Sequence, residues 1–165
     1  MQPLVVTLEL DERSQQALDA LRSRHFPPHR LVVGAHVTLF HALPGDQEAE
    51  VREALDVAAD REAFDVHVTG VRFLGGGVAY DLSVDPSVRQ GVAARFALSR
   101  QDAQPWKPHV TVQNKVPAEQ ARLLHQALAE AFVPWTARAE GLALWRYAGG
   151  PWEPLGSYPF RSRQE

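Results

Sequence analysis

Hydrophobic and polar residues alternate in some stretches of this chain and recur at helical spacing in others. Alternation and β-branched residues predict strands over residues 4–10, 35–43, 64–74, 78–84, 109–116 and 135–147. Helical spacing of apolar residues predicts helices over residues 11–26, 49–59, 85–98 and 117–132. Asp11 is the predicted N-cap of the first helix, and Pro86 stands at the first position of the third. A short hairpin near Gly149 and Gly150 closes the chain.

The order of these elements repeats along the chain. Each half runs strand, helix, strand, helix and alternating strand, and residues of similar polarity recur at shifts of 71 to 74. We therefore expect one domain over residues 1–165 with an α+β fold, built as a bilobal pseudo-two-fold duplication. Two mostly antiparallel sheets should face each other across a central cleft, with the helices outside.

Three of the predicted strands contain the triplet His-Val-Thr, beginning at His36, His67 and His109. Strand composition favours Val and Thr, yet three such triplets in a chain with seven histidines are more than random placement would give. Residues i and i+2 of a strand share one face, so each histidine lies about 7 Å along the strand from its threonine. Each triplet therefore presents an imidazole and a hydroxyl side by side.

The repeat separates the three triplets. His36 and Thr38 recur 73 residues later as His109 and Thr111, whereas His67 falls on Arg138. We expect His67 to be a structural or solvent-facing residue. His41 lies five residues after His36, so alternation places it on the opposite face, outside the cleft. The other histidines, His25, His29 and His125, belong to helices or loops without a partner motif and are interpreted as structural.

Two histidines and two hydroxyls that face each other suit hydrolysis of a phosphodiester. One neutral imidazole can remove a proton from water, and an imidazolium on the other side of the phosphorus can protonate the leaving oxygen. Threonine hydroxyls can hold the non-bridging phosphate oxygens and stabilise the charge that develops there. This chemistry requires no metal, and we expect no cofactor.

The segments AHVTLFHALPG and WKPHVTVQNKV resemble the two HxT motifs of the 2H phosphoesterase superfamily, the 2′-5′ RNA ligase-like proteins. The resemblance extends over essentially the whole chain and implies the bilobal fold. It implies that His36 and His109 are the catalytic pair and that Thr38 and Thr111 bind phosphate. It also implies a substrate with a 2′,3′-cyclic phosphate, a 2′-5′ linkage or a related cyclic phosphodiester, on an RNA end or a nucleotide.

Five further residues are candidates for substrate binding. Phe40 and Gln113 continue the faces of the two motifs at the same spacing of 73, so an aromatic ring and an amide should line the cleft. Packing in the interface between the lobes is an equally open interpretation for Phe40. Lys107, Arg146 and Tyr147 lie near predicted strand ends, where a phosphate is within reach, although solvated surface is the alternative for each.

Composition narrows the class of protein. With a net charge of −3, the chain lacks the excess of basic residues that is typical of proteins that bind long nucleic acids. This charge favours a short or small substrate. The absence of cysteine excludes disulfides, thiolate zinc sites and a thiol nucleophile. The N-terminal stretch lacks the basic start of a signal peptide, and no uncharged apolar run has the length of a membrane span. We expect a soluble, cytoplasmic monomer.

Three alternatives to a cyclic phosphodiesterase stay open. A 2′-5′ RNA ligase would join RNA ends by the reverse chemistry with the same acid and base. A binding protein would recognise a phosphate end without turnover, although both motifs are intact. A histidine metal site is disfavoured, because neither motif contains a carboxylate to complete the ligand set.

Overall fold

The computed structural model describes residues 2–30 and 33–161 and contains seven strands and four α-helices in that part of the chain. In chain order the elements are β1 (Leu4–Leu10), α1 (Glu12–His25), β2 (Val37–Leu43), α2 (Glu48–Ala58), β3 (Phe64–Phe73), β4 (Val78–Ser83), α3 (Ser87–Ala93), β5 (His109–Gln113), α4 (Ala118–Ala131), β6 (Trp135–Arg146) and β7 (Glu153–Pro159). This order confirms the predicted succession of strands and helices and the α+β class.

All strand pairs are antiparallel and belong to one sheet, in the order β2-β1-β6-β3-β4-β5, with β7 also paired to β6. The strands do not separate into the two facing sheets that we expected, because their hydrogen bonds join them into one sheet. The physical reason is the length of β6, which pairs with β3 through Trp135–Ala139 and with β1 through Ala139–Arg146. The end strands β2 and β5 contact each other, so the sheet bends strongly.

Local sequence signals explain where the first helix begins and ends. The carboxylate of Asp11 accepts a hydrogen bond from the backbone N–H of Ser14 at 3.1 Å, which confirms the predicted N-cap. The helix ends at His25 because Phe26 precedes a proline and adopts an extended conformation with ψ 136°. Leu18 of this helix is buried in the hydrophobic core.

The hydrophobic core lies between the sheet and the helices. Val51 and Leu55 of α2 and Val88 of α3 are almost fully buried, as are Val37 of β2 and Val110 of β5 behind the two motifs. Truncating a buried leucine such as Leu55 to alanine typically costs about 2–5 kcal/mol, because a cavity remains. The apolar backs of the motif strands therefore hold their polar faces in place.

The strand register around the motifs follows the same pattern twice. Thr7 of β1 pairs with Thr38 on one side and Ala143 on the other. Ala79 of β4 pairs with Thr111 on one side and Arg72 on the other. The strand beside each motif, β1 in one half and β4 in the other, therefore pairs with the motif strand on one side and with an inner strand, β6 or β3, on the other.

Two features are absent among residues 2–30 and 33–161. None of the helices there is long and apolar enough to cross a membrane. No three or more histidine, aspartate or glutamate side chains in these ranges lie together as a potential metal site.

Candidate active site

The four motif residues line one cavity of about 270 Å³, here called the motif cavity. His36 directly precedes β2 and Thr38 lies within it, whereas His109 and Thr111 belong to β5 at the other end of the sheet. The bend that brings β2 against β5 therefore converts two motifs far apart in sequence into one polar surface.

A β-bulge follows the threonine of each motif. On β2, Val6 pairs with Phe40 and Thr7 with Thr38, so Leu39 is the extra residue. On β5, Val78 pairs with Gln113 and Ala79 with Thr111, so Val112 is the extra residue. The two bulges are 73 residues apart, at the spacing of the motifs themselves.

The bulges change the faces of the residues that follow. Phe40 was expected on the cleft wall, but it is fully buried in the core, with the guanidinium of Arg89 4.5 Å from its ring centre. Gln113 was expected beside Thr111, but it is only 3% exposed and does not line the motif cavity. Strict alternation fails at both positions because one extra residue inverts the side-chain direction.

The same inversion brings His41 into the motif cavity, contrary to the expectation from alternation. Its side chain is 45% exposed, and its Nδ1 lies 3.3 Å from a carboxylate oxygen of Asp102. That carboxylate also accepts the backbone N–H groups of His41 at 2.8 Å and Ala42 at 2.9 Å. The sequence signal for this change is the adjacent apolar pair Leu39 and Phe40, which interrupts the alternation.

Both motif histidines make the same hydrogen bond. Nδ1 of His36 lies 2.8 Å from the carbonyl oxygen of Gly34, and Nδ1 of His109 lies 2.8 Å from that of Lys107. A carbonyl oxygen only accepts, so Nδ1–H is the donor in each case and Nε2 is the free nitrogen. Each imidazole is thereby oriented by the backbone two residues before it.

Aromatic side chains enclose the imidazole of His36. Its ring contacts Trp152 at a centroid distance of 4.7 Å, and Trp152 in turn contacts Trp145 at 5.9 Å. Burial is the main cause that lowers the pKa of His36 to about 4, against the hydrogen bond to Gly34, which raises it. Positive charge on neighbouring groups, including His109, lowers this pKa further. His36 is therefore neutral near pH 7.

Two arginine side chains form hydrogen bonds with the backbone of the motif strands. Arg22 of α1 donates from Nη1 to the carbonyl oxygen of Thr111 at 2.6 Å, and Arg89 of α3 donates from Nε to that of Leu39 at 2.8 Å. Each arginine thus supports the motif of the other half of the chain. The indole of Trp106 adds a hydrogen bond to the carbonyl oxygen of Thr38 at 3.0 Å. None of these residues was singled out in the sequence.

The remaining sequence candidates lie in different places. Lys107 lines the motif cavity and forms no ion pair with residues 2–30 or 33–161. Arg146 lies outside the cavity, where it pairs with Glu48 and Glu153. Tyr147 lines a neighbouring cavity of about 610 Å³ that also borders His36.

The third triplet lies apart from the motif cavity. His67 is exposed on β3, and its Nδ1 lies 3.2 Å from the hydroxyl of Thr136 on β6. The hydroxyl of Thr69 donates to the carbonyl oxygen of Asp81 at 3.3 Å. Neither side chain lines the cavity with His36 and His109.

Comparison with known families gives a decisive match. A sequence profile of the 2′-5′ RNA ligase superfamily matches residues 10–151, which is most of the chain and includes both motifs. The chain belongs to the 2′-5′ RNA ligase superfamily. No curated protein matches the sequence.

Solved structures support the fold of this superfamily member. TT0787 of Thermus thermophilus is 20% identical and aligns with a TM-score of 0.65 over 98% of this chain and 100% of its own. LigT of E. coli, complexed with 3′-AMP, is 16% identical, with a TM-score of 0.59 over 96% of this chain and 98% of its own. A protein described as a phosphoesterase is 20% identical, with a TM-score of 0.56 over 97% of this chain and 99% of its own.

Proposed function

We propose that this protein is a phosphoesterase that hydrolyses a 2′,3′-cyclic phosphate, or a related cyclic phosphodiester, on an RNA end or a nucleotide. The observation that carries the proposal is the pair His36 and His109 in one cavity, each with Nδ1 occupied by a backbone carbonyl and Nε2 free. Two free imidazole nitrogens and two threonine hydroxyls are the groups that acid–base cleavage at phosphorus needs. No step requires a metal ion.

The two histidines take different roles in this mechanism. His36 is the general base, because its lowered pKa keeps Nε2 unprotonated at neutral pH. Nε2 of His36 takes a proton from water as the water oxygen bonds to phosphorus. The bond from phosphorus to one ribose oxygen breaks, and that oxygen takes a proton from Nε2 of His109. The product is a phosphomonoester, and the free ribose hydroxyl is restored.

The bound phosphate helps the base to work. A negative phosphate beside His36 stabilises the imidazolium that forms, so the pKa of His36 rises when substrate is bound. Thr38 and Thr111 donate hydroxyl hydrogen bonds to the two non-bridging oxygens. Each threonine lies next to a bulge, and an arginine from a helix of the other half bonds the backbone at Thr111 or at Leu39, so the hydroxyls are positioned before substrate arrives.

Nucleotides as the substrate class are supported by the relatives. LigT of E. coli has been crystallised with 3′-AMP, with NADP+, with ATP and with phosphate. In this chain, the ring of Trp152 contacts His36 at a tilt of 55° and offers a flat apolar surface beside this histidine. We propose that a base or ribose of the substrate rests there.

The superfamily name favours a second candidate, a 2′-5′ RNA ligase that acts by the reverse reaction. The same acid and base serve both directions, because a reaction and its reverse share one transition state. His109 would then remove a proton from the attacking ribose hydroxyl, and His36 would give one to the departing water. A protein that binds phosphate ends without turnover is the remaining alternative.

We further propose that the chain is a duplicated, bilobal domain that is active as a monomer. Matching registers beside Thr38 and Thr111 and bulges 73 residues apart support two related halves. Each half contributes one motif, so one chain completes the site.

The test is an activity screen with the purified full chain. Substrates are 2′,3′-cyclic mononucleotides, 2′-5′ dinucleotides and RNA with a cyclic-phosphate end, each assayed with and without excess EDTA. We expect opening of the cyclic phosphate, unaffected by EDTA and abolished in His36→Ala. Joining of RNA ends without cyclic-phosphate hydrolysis would favour the ligase, and binding without either reaction would contradict both enzymatic proposals.

A further inference from the structure

His41 and Asp102 form a pair at the motif cavity that the proposed acid–base chemistry does not use. The Asp102 carboxylate is 1% exposed, whereas the His41 side chain is 45% exposed. Two backbone N–H groups, of His41 and Ala42, hold this carboxylate in place, and the Asp102 backbone N–H bonds the hydroxyl of Ser99 at 3.1 Å. A buried, rigid anion thus faces a half-exposed imidazole.

This arrangement fixes which ring nitrogen of His41 faces the cavity. Burial raises the pKa of Asp102, but hydrogen bonds from His41 and Ala42 outweigh it and lower the pKa below its usual value. The carboxylate therefore stays ionised and orients the imidazole of His41, as an aspartate does in a catalytic triad. Nδ1 of His41 faces Asp102, which leaves Nε2 as the nitrogen available to the cavity.

The motif cavity holds more groups able to bind phosphate than one phosphodiester needs. A cyclic phosphodiester carries one negative charge, and the two threonines and two catalytic histidines already contact it in the proposed mechanism. Arg72 is neutralised by Asp81, and Arg89 donates to the carbonyl oxygens of Leu39 and Asp102. The lysine Lys107 and the imidazole of His41 remain to face the substrate, and Asp102 is the only acidic residue among the described residues of the lining.

His41 lies between the motif cavity and a larger neighbouring cavity. The motif cavity of about 270 Å³ is small for a whole nucleotide, so part of the substrate has to extend beyond it. The neighbouring cavity of about 610 Å³ shares His36, His41, Gln101 and Trp152 with it. A second cavity of about 480 Å³ shares only His36 and Trp152, so a substrate group that extends into the first of these spaces is the one that meets His41.

We infer that His41, oriented by Asp102, binds a second phosphate group of the substrate, so that preferred substrates carry one phosphate in addition to the reacting one. The inference rests on the proposed function for the identity of the reacting phosphate. Two sources share this chemistry: a terminal 5′-phosphate on a nucleotide, and the internucleotide phosphate of a short oligonucleotide. Lys107 is the cation that completes the binding of the reacting phosphate.

Calorimetry on the full chain tests the inference without turnover. The ligands are adenosine 3′-phosphate, adenosine 3′,5′-bisphosphate and an adenosine dinucleotide with a 3′-phosphate, which separates terminal from internucleotide phosphate. In the wild type we expect a second phosphate to tighten binding about tenfold, the effect of one charge-assisted hydrogen bond. His41→Asn should bring the ratio of the two dissociation constants close to one. His41→Lys, which places a charged hydrogen-bond donor at this position, should retain most of the preference.

His67→Asn is the matched control, an exposed histidine of another His-Val-Thr strand, and it should keep the wild-type ratio. An equal ratio in wild type and His41→Asn would overturn the inference. A loss of affinity for both ligands alike would also overturn it, because His41 would then act on the reacting phosphate. The proposed function fails separately, if the wild type binds these ligands with the predicted preference but never opens a cyclic phosphate.

Discussion

The strands β2 and β5 carry the same motif on nearly the same backbone, yet they place their histidines in different surroundings. In both, the histidine donates from Nδ1 to the carbonyl two residues earlier, and a bulge follows the threonine. His36, however, contacts the ring of Trp152 and has a pKa lowered to about 4, whereas His109 follows the exposed Lys107.

This comparison teaches that repeated backbone geometry and repeated chemistry are separate properties. The repeat supplies two imidazoles with the same tautomer, and the neighbours then decide which of them is kept neutral. The enclosure of His36 beside Trp152 makes this difference.

Removing either imidazole should have the largest effect. We expect His36→Ala and His109→Ala each to lower kcat for a 2′,3′-cyclic nucleotide about 10³-fold, because each takes away one proton-transfer group. Steady-state assays with matched circular dichroism spectra check this. His67→Ala is the control and should stay within about twofold of the wild type, since it lies outside the motif cavity. Equal damage from His67→Ala would contradict the assignment of the site.

Removing a hydroxyl should have the next largest effect. Thr38→Val and Thr111→Val each delete one donor to a non-bridging oxygen, and we expect kcat/KM to fall about 10- to 100-fold. Thr69→Val, in the third triplet, provides the matched control. A fall in kcat/KM for only one of these two variants would show that the two strands do not bind the phosphate in equivalent ways.

Exposing His36 should reduce the difference between the two strands. In the wild type, the acid limb of the pH profile of kcat/KM should lie at about pH 4, because His36 must be neutral in the free enzyme. Trp152→Ala removes the ring that contacts His36, so the pKa of His36 should rise and the limb should move towards pH 6.5, the ordinary value. Trp152→Phe keeps a ring there and should shift the limb less. If the acid limb stayed at the wild-type pH in Trp152→Ala, burial beside Trp152 would not be the cause of the lowered pKa of His36.

The smallest effect concerns stability. The folded-state pKa of His36 lies below its ordinary value of 6.5, so the unfolded chain binds a proton that the folded chain does not between about pH 6.5 and 4. The wild type should therefore lose stability as pH falls through this window, with no further contribution from His36 outside it. His36→Asn removes this loss, so its Tm relative to the wild type should rise on acidification from pH 7 to 4. A constant difference in Tm would contradict the lowered pKa.

The order of elements could be predicted from the sequence because local signals agree with the fold. The Asp11 cap, the proline after Phe26 and the apolar spacing of the helices all act within a few residues of one another. The joining of the strands into one sheet was not predictable in this way. It depends on one long strand, β6, which pairs with β3 and β1 that are distant in sequence.

The candidate site could be predicted only as far as strict alternation holds. His36, Thr38, His109 and Thr111 precede the bulges, and they come together in the motif cavity. Phe40, Gln113 and His41 follow a bulge, and their predicted faces are inverted, because the extra residue appears only in the pairing between strands. Trp152 and Asp102 reach the site through loops, whose course no periodic pattern encodes.

The division of roles between His36 as base and His109 as acid is tested most directly with a substrate whose leaving group needs no proton. In a 2′,3′-cyclic nucleotide that has sulfur in place of the released ribose oxygen, the leaving group departs as a thiolate and needs no proton. We predict that His109→Ala cleaves this substrate within about tenfold of the wild-type rate, whereas His36→Ala remains about 10³-fold slower. Rescue of His36→Ala instead, or equal rates for the two variants, would contradict the assignment.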